Sequence, residues 1–505
     1  MLLLALLGCS LDWNLPGGPS ATLALPAWDR AVVPASDGVY VRLPAGGALV
    51  RVAPDGAVDR VDLRGAAPDR VVAAPDGDTL LVFASWSVCE DPDPDVRTLE
   101  DCAVDDRAVG HELAVVRGAS VLATADVPPQ YNALAFSGDG RLAVAYLDLT
   151  QAPSIEVDGV LNLAEAVFLE VATGETHRVP VGFAAEHVLF TQDGSAAVVL
   201  SRNEVAVVDL ASWSVAVRFP LTLDVDSDVT PRDVALVRSE DTDYALVTLE
   251  GGADLYVLDL THESIDLVEL GGEARSMVVD TAAGRTFLGL AGRSAIVSVD
   301  HAAFELDTVA LDAPAPVLLG GDGMVLGYAP GSYQTDVVLL DTLTGTTTEF
   351  RAENPIASMA LLPSHAHAVA TLSPGGSGTL GGYHALALFD LVAKDAPLTL
   401  ALEAAPVGLE VVESGGEAWA FLLQEGVDTL LRVDVATGTA SDVALAAPPV
   451  GLATMPDGTF VVVHDGAMGM LSFLAPGSST PRAVGGFASV GLLHDTTLPR
   501  RAASE

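Results

Sequence analysis

Positive charge is what this sequence has least of. Lysine occurs once, at Lys394, and Lys plus Arg number 24 against 68 Asp plus Glu, a formal net charge of −44 over 505 residues. Phosphate binding rests on a basic surface, so nucleic acid is excluded as a partner class. Aromatic residues are only 5% of the chain although half of it is hydrophobic, so Ala, Val and Leu must fill the core. That composition suits flat sheets packed face to face and argues against disorder. Catalytic signatures are missing too: there is no G-x-S-x-G elbow, no H-E-x-x-H and no phosphate-cradling loop followed by Lys. The ten histidines are scattered, and the one close pair, His365 and His367, has no third ligand near it in sequence. No apolar run beyond the first residues is long enough to span a bilayer.

What the chain has instead is a repeat. The stretch NEVAVVDL at 203–210 alternates apolar and polar residues and ends in Asp-Leu and a turn; DLYVLDL, AIVSVDH, DVVLLDT, HALALFDL and TLLRVDV follow the same plan. Their aspartates, Asp209, Asp259, Asp300, Asp341, Asp390 and Asp434, stand 50, 41, 41, 49 and 44 residues apart. A period of that length with four short strands per unit predicts an all-β propeller blade. First turns of the units fall at Asp37-Gly38, Asp76-Gly77, Asp139-Gly140, Asp193-Gly194, 241–243, 282–284, Asp322-Gly323, Ser364-His365, 414–416 and Asp457-Gly458, which makes ten units. Asp-Gly suits such turns because Gly accepts positive φ and the Asp side chain bonds the turn amides. The aspartate column is read the same way, as turn capping. Units one, two and ten lack it, with Ala53, Arg117 and Phe473 nearest, so an eight-bladed ring with irregular ends is the alternative to ten blades. The segment 490–493 is a candidate strand for closing the first blade, and 496–505 reads as a frayed tail.

The first residues, MLLLALLGCS, resemble the lipobox of bacterial lipoproteins through Leu6-Leu7-Gly8-Cys9, with Leu7 a less usual choice at its position. That resemblance implies acylation of Cys9, removal of what precedes it, and a place at the bacterial cell envelope, on the outer membrane or its periplasmic face. A basic n-region is missing, which suggests that translation starts further upstream. With Cys9 lipidated, Cys89 and Cys102 form an even pair, and a disulfide between them fits an exported protein. Residues 10–21, with Pro16-Gly17-Gly18-Pro19, read as a flexible tether, and 22–495 as the propeller.

The run HVLFTQDGSAAVVLSRNEVAVVDLASWSVAVRFPL, with its Asp-Gly turn, Asn203 and V-x-V-x-D-L strand, resembles the YVTN-type repeats of bacterial surface proteins and lactonase-like propellers. The likeness covers 185–311 well and the rest loosely, and it implies a blade rather than an activity. Trp28-Asp29 is the sole Trp-Asp pair and sits in the wrong place for WD repeats. The Asp-x-x-Thr-Gly turns at Asp341 and Asp434 also resemble quinoprotein blades, but the tryptophan expected soon afterwards is missing, which speaks against a quinone.

In a four-stranded meander, turns one–two and three–four share one blade end, while the two–three turn and the crossover share the other. All the Asp-capped turns therefore fall on one end, and they are short. The long segments, 86–109, 148–163, 222–231, 329–334 and 373–383, fall on the opposite end. Insertions confined to one face of a repeat protein mark its binding face. On it, Glu90, Asp91, Asp93, Asp95, Glu100, Asp101, Asp105 and Asp106 surround the cysteine pair, and Asp224, Asp226 and Asp228 follow in LDVDSDV. Both Asp-x-Asp-x-Asp runs resemble the opening of a calcium loop, where alternating carboxylates converge on a hard cation. Val96 and Val229 stand where the sharp turn needs Gly, so a solvated acidic segment is the plainer reading and calcium the sharper one. Tyr333 and Tyr383 are the candidate contact aromatics, beside the Gly-rich SPGGSGTLGGY. These features lead to the expectation of a monomeric, non-catalytic scaffold that needs no cofactor and engages an envelope protein, peptide or glycan. A lactonase-like hydrolase with carboxylates gathered on the axis is the alternative, motivated by fold analogy.

Overall fold

Ten antiparallel sheets follow one another along the chain, each built on four strands in sequence order from inner to outer, and one of them gains a fifth strand from the N-terminal segment. In this computed structural model the described residues are 20–23, 32–43, 48–63, 66–89, 107–128, 131–148, 162, 164–224, 229–239, 241–331, 333–375, 380–464, 469–475 and 477–487. The fold is all-β, a β-propeller of ten four-stranded blades, at 32–61, 67–126, 133–180, 185–220, 231–269, 274–310, 317–351, 356–401, 406–444 and 449–485. Ten blades hold, and the eight-blade alternative falls, because the units without a column aspartate still form complete sheets. Among the described residues no helix is long and apolar enough to cross a membrane.

The chain divides into two compact units, one of Met1–Leu25 with Pro180–Ala444 and one of Pro26–Val179 with Leu445–Glu505. The first holds blades four to nine and the second holds blades ten, one, two and three. Within each unit the apolar clusters lie between consecutive blades. Phe350, Ile356, Met359 and Phe389 fill the gap between blades seven and eight, and Val39, Val50, Met455 and Phe473 that between blades ten and one. The second and third strands are buried on both faces, as in Ala196–Ser201 and Glu204–Asp209, so they read as nearly unbroken apolar runs. Outer strands such as Ser214–Pro220 alternate exposed and part-buried residues because one face meets water.

All ten first turns lie between first and second strands, where the sequence places them. Asp76 Oδ1 accepts from the amides of Asp78 and Thr79, and Asp193 Oδ1 from that of Ser195. The aspartate column caps the third turn. Asp300 accepts from the amides of Ala302, Ala303 and Glu305, and Asp390 and Asp434 each accept from the two amides that follow the turn's start. Blade three uses Glu170 at this position, where Thr173 Oγ1 donates to its carboxylate at 3.2 Å. Asn203, in the left-handed region at φ 65°, ties the second turn to the crossover: its Oδ1 accepts from Val229 N at 2.7 Å.

Two details at the ends differ from the sequence reading. Blade one draws all four strands from 32–61, so no strand from the far end of the chain is needed to complete it; residues 490–493 themselves lie outside the described residues. Ser20–Leu23, which begins inside the segment read as tether, pairs antiparallel with the innermost strand of blade nine, Ser20 opposite Val412 and Leu23 opposite Leu409.

Candidate functional site

The two ends of each blade are chemically unlike. At the short-turn end the carboxylates accept from turn amides, which leaves them little capacity for other work. The other end carries the second turns and crossovers, and the structure confirms that the long segments leave from there. They join Thr79–Cys89 to Arg107–Arg117, Leu142–Tyr146 to Glu165–Glu170, Ser214–Pro220 to Pro231–Ser239, Met324–Tyr328 to Asp336–Asp341, and His367–Leu372 to Ala385–Asp390.

This end is shaped by a device that sequence inspection missed. Just inside the crossover, the innermost strand of most blades carries a β-bulge at its second or third residue. The register skips Glu186, Arg232 and Arg275 in blades four, five and six, Ala357 and Val407 in blades eight and nine, and Asp69 and Val450 in blades two and ten. A bulge sets two residues against one on the partner strand and re-aims a side chain. A charged residue inside an otherwise apolar inner strand, as in TPRDVALV or GEARSMVV, was the available signal.

In the first unit the skipped residues of blades four to six are charged, and they build a network. Arg232 Nη2 lies 2.9 Å from Glu273 Oε1 and 3.9 Å from Glu250 Oε1, and Arg275 Nη2 donates to Glu273 Oε2 at 3.0 Å. Arg202 Nε stands 3.8 Å from the buried Glu186 carboxylate. Asp233, next to the skipped Arg232, is buried. Its carboxylate accepts from Val234 N at 2.9 Å and from the backbone amide of Met277 on blade six. Burial pushes its pKa up to about 6, against the pull of those hydrogen bonds and of Arg232. The same blade ends of this unit carry exposed aromatics. Tyr333 is 95% exposed, Tyr383 58% and Phe183 49%, all at the long-segment end. Leu223, on the crossover into blade five, is 93% exposed.

In the second unit the same end holds a cavity of about 330 Å³ between blades two and three. It is lined by Asp69 and Arg70 from the bulge, Phe83, Ala84 and His111 from the next two strands, and Val127, Pro128, Tyr131 and Asn132 from the crossover. The Arg70 guanidinium donates to the Asn132 carbonyl. Asn132 also pairs with the backbone of Asp148, donating to its carbonyl at 2.9 Å and accepting from its amide at 2.8 Å. Tyr131 donates its hydroxyl to the Glu165 carbonyl at 3.0 Å.

Of the residues singled out in the sequence, Tyr333 and Tyr383 are surface side chains at the expected end, and Asp224 is exposed on the crossover into blade five. Cys89 closes a strand, its backbone opposite Arg107. Cys9, Asp91, Asp93, Asp95, Asp101, Cys102, Asp105, Asp106, Asp226 and Asp228 lie outside the described residues, and with them the residue expected to carry lipid, one cysteine of the expected disulfide and most of both acidic runs. His365 and His367 differ in backbone setting. His365 sits in the left-handed turn at φ 58° while His367 begins a strand opposite Asp390. The grouping of potential metal ligands among the described residues is Glu170, Glu175 and His177, at the third turn of blade three.

No family model matches the chain, and no curated protein matches it in sequence. Among solved structures it is similar to the dihydro-heme d1 dehydrogenase NirN in complex with DHE, at 12% identity over 65% of this chain and 70% of that one, with a TM-score of 0.43. The Dos1 propeller matches at 9% identity over 69% and 90% of the two chains, with a TM-score of 0.41. Apo AztD from Citrobacter koseri matches at 11% identity over 67% and 93%, with a TM-score of 0.37. At these identities and scores, none of them says what this chain does.

Proposed function

We propose that this chain is a non-catalytic binding propeller, held at the bacterial cell envelope by lipid on Cys9, whose long-segment blade ends engage a protein, peptide or glycan. The observation that carries the reading is the placement of exposed aromatics. Among the described residues the exposed aromatic side chains are Phe183, Tyr333 and Tyr383, and all three lie in the first unit at the end that bears the long segments and the arginine network. Tyrosine and arginine are the residue types that dominate binding energy at protein interfaces, since they bury large area at low entropic cost. Calcium across Asp91, Asp93 and Asp95, or across Asp224, Asp226 and Asp228, is not needed for this reading.

Affinity capture from the native envelope tests it. Replacing Tyr333 and Tyr383 with Ala is expected to weaken capture of the bound partner at least about ten-fold, the loss of one hot-spot aromatic. Leu343→Ser with Val392→Ser, exposed at the other blade end, should leave capture unchanged. Equal capture by both variants would remove the long-segment end as the working surface.

The anchor is tested separately. One myristoyl-sized chain holds a protein at a membrane only marginally, whereas a diacylated cysteine holds it stably. Cys9→Ser is therefore expected to shift the protein from the membrane fraction to the soluble fraction. A variant that stays in the membrane fraction would show that attachment lies elsewhere.

A further inference from the structure

The strand Ser20–Leu23 has a direction, and that direction bears on how the long-segment blade ends are presented. Each innermost strand starts at the crossover, on the long-segment end of its blade, and runs to the first turn at the other end. In blade nine that strand is Pro406–Ser414. Ser20–Leu23 lies antiparallel to it, Ser20 opposite Val412 near the first turn and Leu23 opposite Leu409 nearer the crossover. The chain thus arrives at blade nine from the short-turn end and runs toward the long-segment end. Such a strand has a physical reason to settle there. The inner edge of a sheet presents a row of backbone donors and acceptors, and an added strand satisfies them. The covered stretch, Leu409, Glu410, Val411 and Val412, is buried throughout, and the added strand also lies beside the innermost strand of blade eight, Ile356–Leu361.

We propose that this strand orients the first unit on its membrane: the short-turn ends of blades four to nine face the bilayer, and the long-segment ends, with Phe183, Tyr333 and Tyr383, face the aqueous compartment. The inference rests on lipid at Cys9, as read above. Eleven peptide steps separate Cys9 from Ser20. Fully extended they span at most about 40 Å, at about 3.3–3.6 Å each. From the end of blade nine where Ser20 enters, that length reaches a bilayer directly. The way round the outside of the blade to its other end is longer. It crosses four strands spaced about 4.8 Å apart and then follows the length of a strand such as Glu417–Gln424, about 45 Å before any bilayer is met. The aromatic surface therefore meets a protein, peptide or glycan arriving through the aqueous space, and not the lipid of the membrane that carries the chain.

Energy transfer tests the orientation. The full chain, purified from the membrane fraction, is placed in phosphatidylcholine vesicles whose headgroups carry an acceptor dye. A donor dye goes on a genetically encoded residue at Leu343 or Val392 on the short-turn end, or at Leu223 or Tyr333 on the long-segment end, all four exposed. Transfer from the first pair is expected to be faster by at least about two-fold, since roughly 20 Å of blade lies between the two ends. Ala21→Pro with Thr22→Pro should erase that difference while the chain stays on the vesicles. Successive amides of a strand point to opposite sides, so one of the two prolines must remove a ladder donor. Equal transfer from both ends, the reverse order, or a difference that survives the two prolines would overturn the proposal. A chain that never associates with vesicles refutes the anchor, whereas one that associates without the ordering refutes the orientation alone. Hydrogen exchange on the Cys9→Ser chain checks the strand without any lipid. The inner-edge amides within Leu409–Val412 are expected to exchange at least about ten-fold faster once the two prolines are added, and unchanged exchange would remove the strand from blade nine and the proposal with it.

Discussion

Phe389→Ala is expected to destabilise the protein by about 3–5 kcal/mol, the range for deleting a buried phenyl ring. Phe389 is fully buried between blades seven and eight and meets Phe350 edge to face, with ring centroids 5.8 Å apart and planes at 83°. The upper part of the range applies because the surroundings cannot close over the hole. Ala368, directly opposite Phe389, and Ala370, Ala385 and Ala387 of the same cluster are alanines on two strands fixed by their ladders, and none can swing into the space. A chain poor in aromatics concentrates much of its packing in the few that it has. Phe389→Leu keeps most of the volume and should cost only about 1–1.5 kcal/mol. Chemical denaturation reads both effects, and hydrogen exchange should show faster opening in blades seven and eight before the rest. A loss for Ala no larger than that for Leu would mean that the site collapses, contrary to the rigidity argued here.

Most of the fold was legible because turn chemistry is local. An Asp-Gly pair or a carboxylate at a strand end acts on amides within five residues, so Asp193 and Asp300 announce their turns without help from the rest of the chain. Strand order then assigns the long segments to one blade end by parity alone. The site was far less legible, because its residues meet only across blades. Arg232 and Glu273 are 41 positions apart, and nothing in either local context points to the other. The cavity draws on three strands of blade two and a crossover. Two of its lining residues, Asp69 and Arg70, stand at a bulge in the innermost strand that periodicity cannot show. Glu170 was missed for a simpler reason, since the pattern was written for aspartate and a longer carboxylate fills the same place.

Asp233→Asn is expected to stabilise the protein near neutral pH by about 1–3 kcal/mol and to leave it unchanged at about pH 4. Burial raises the folded-state pKa of Asp233 from 3.8 to about 6, so the folded protein holds this proton more tightly than the unfolded chain does. Stability is therefore full below about pH 4, falls as pH rises through the interval to about 6, and is flat above it. At neutral pH the wild-type protein keeps a carboxylate in a site that disfavours charge. An asparagine Oδ1 can still accept from the Val234 and Met277 amides, so the tie between blades five and six survives the change. Arg232 is not left unpaired, because Glu273 stays 2.9 Å from its guanidinium. Denaturation midpoints of wild type and variant, measured across pH 4 to 7.5, should thus coincide at the acid end and separate above pH 5. A gap of constant size across that range would trace the effect to packing rather than to ionisation. A destabilised variant at pH 7 would mean that the Asp233 charge is repaid by Arg232 more fully than burial takes away.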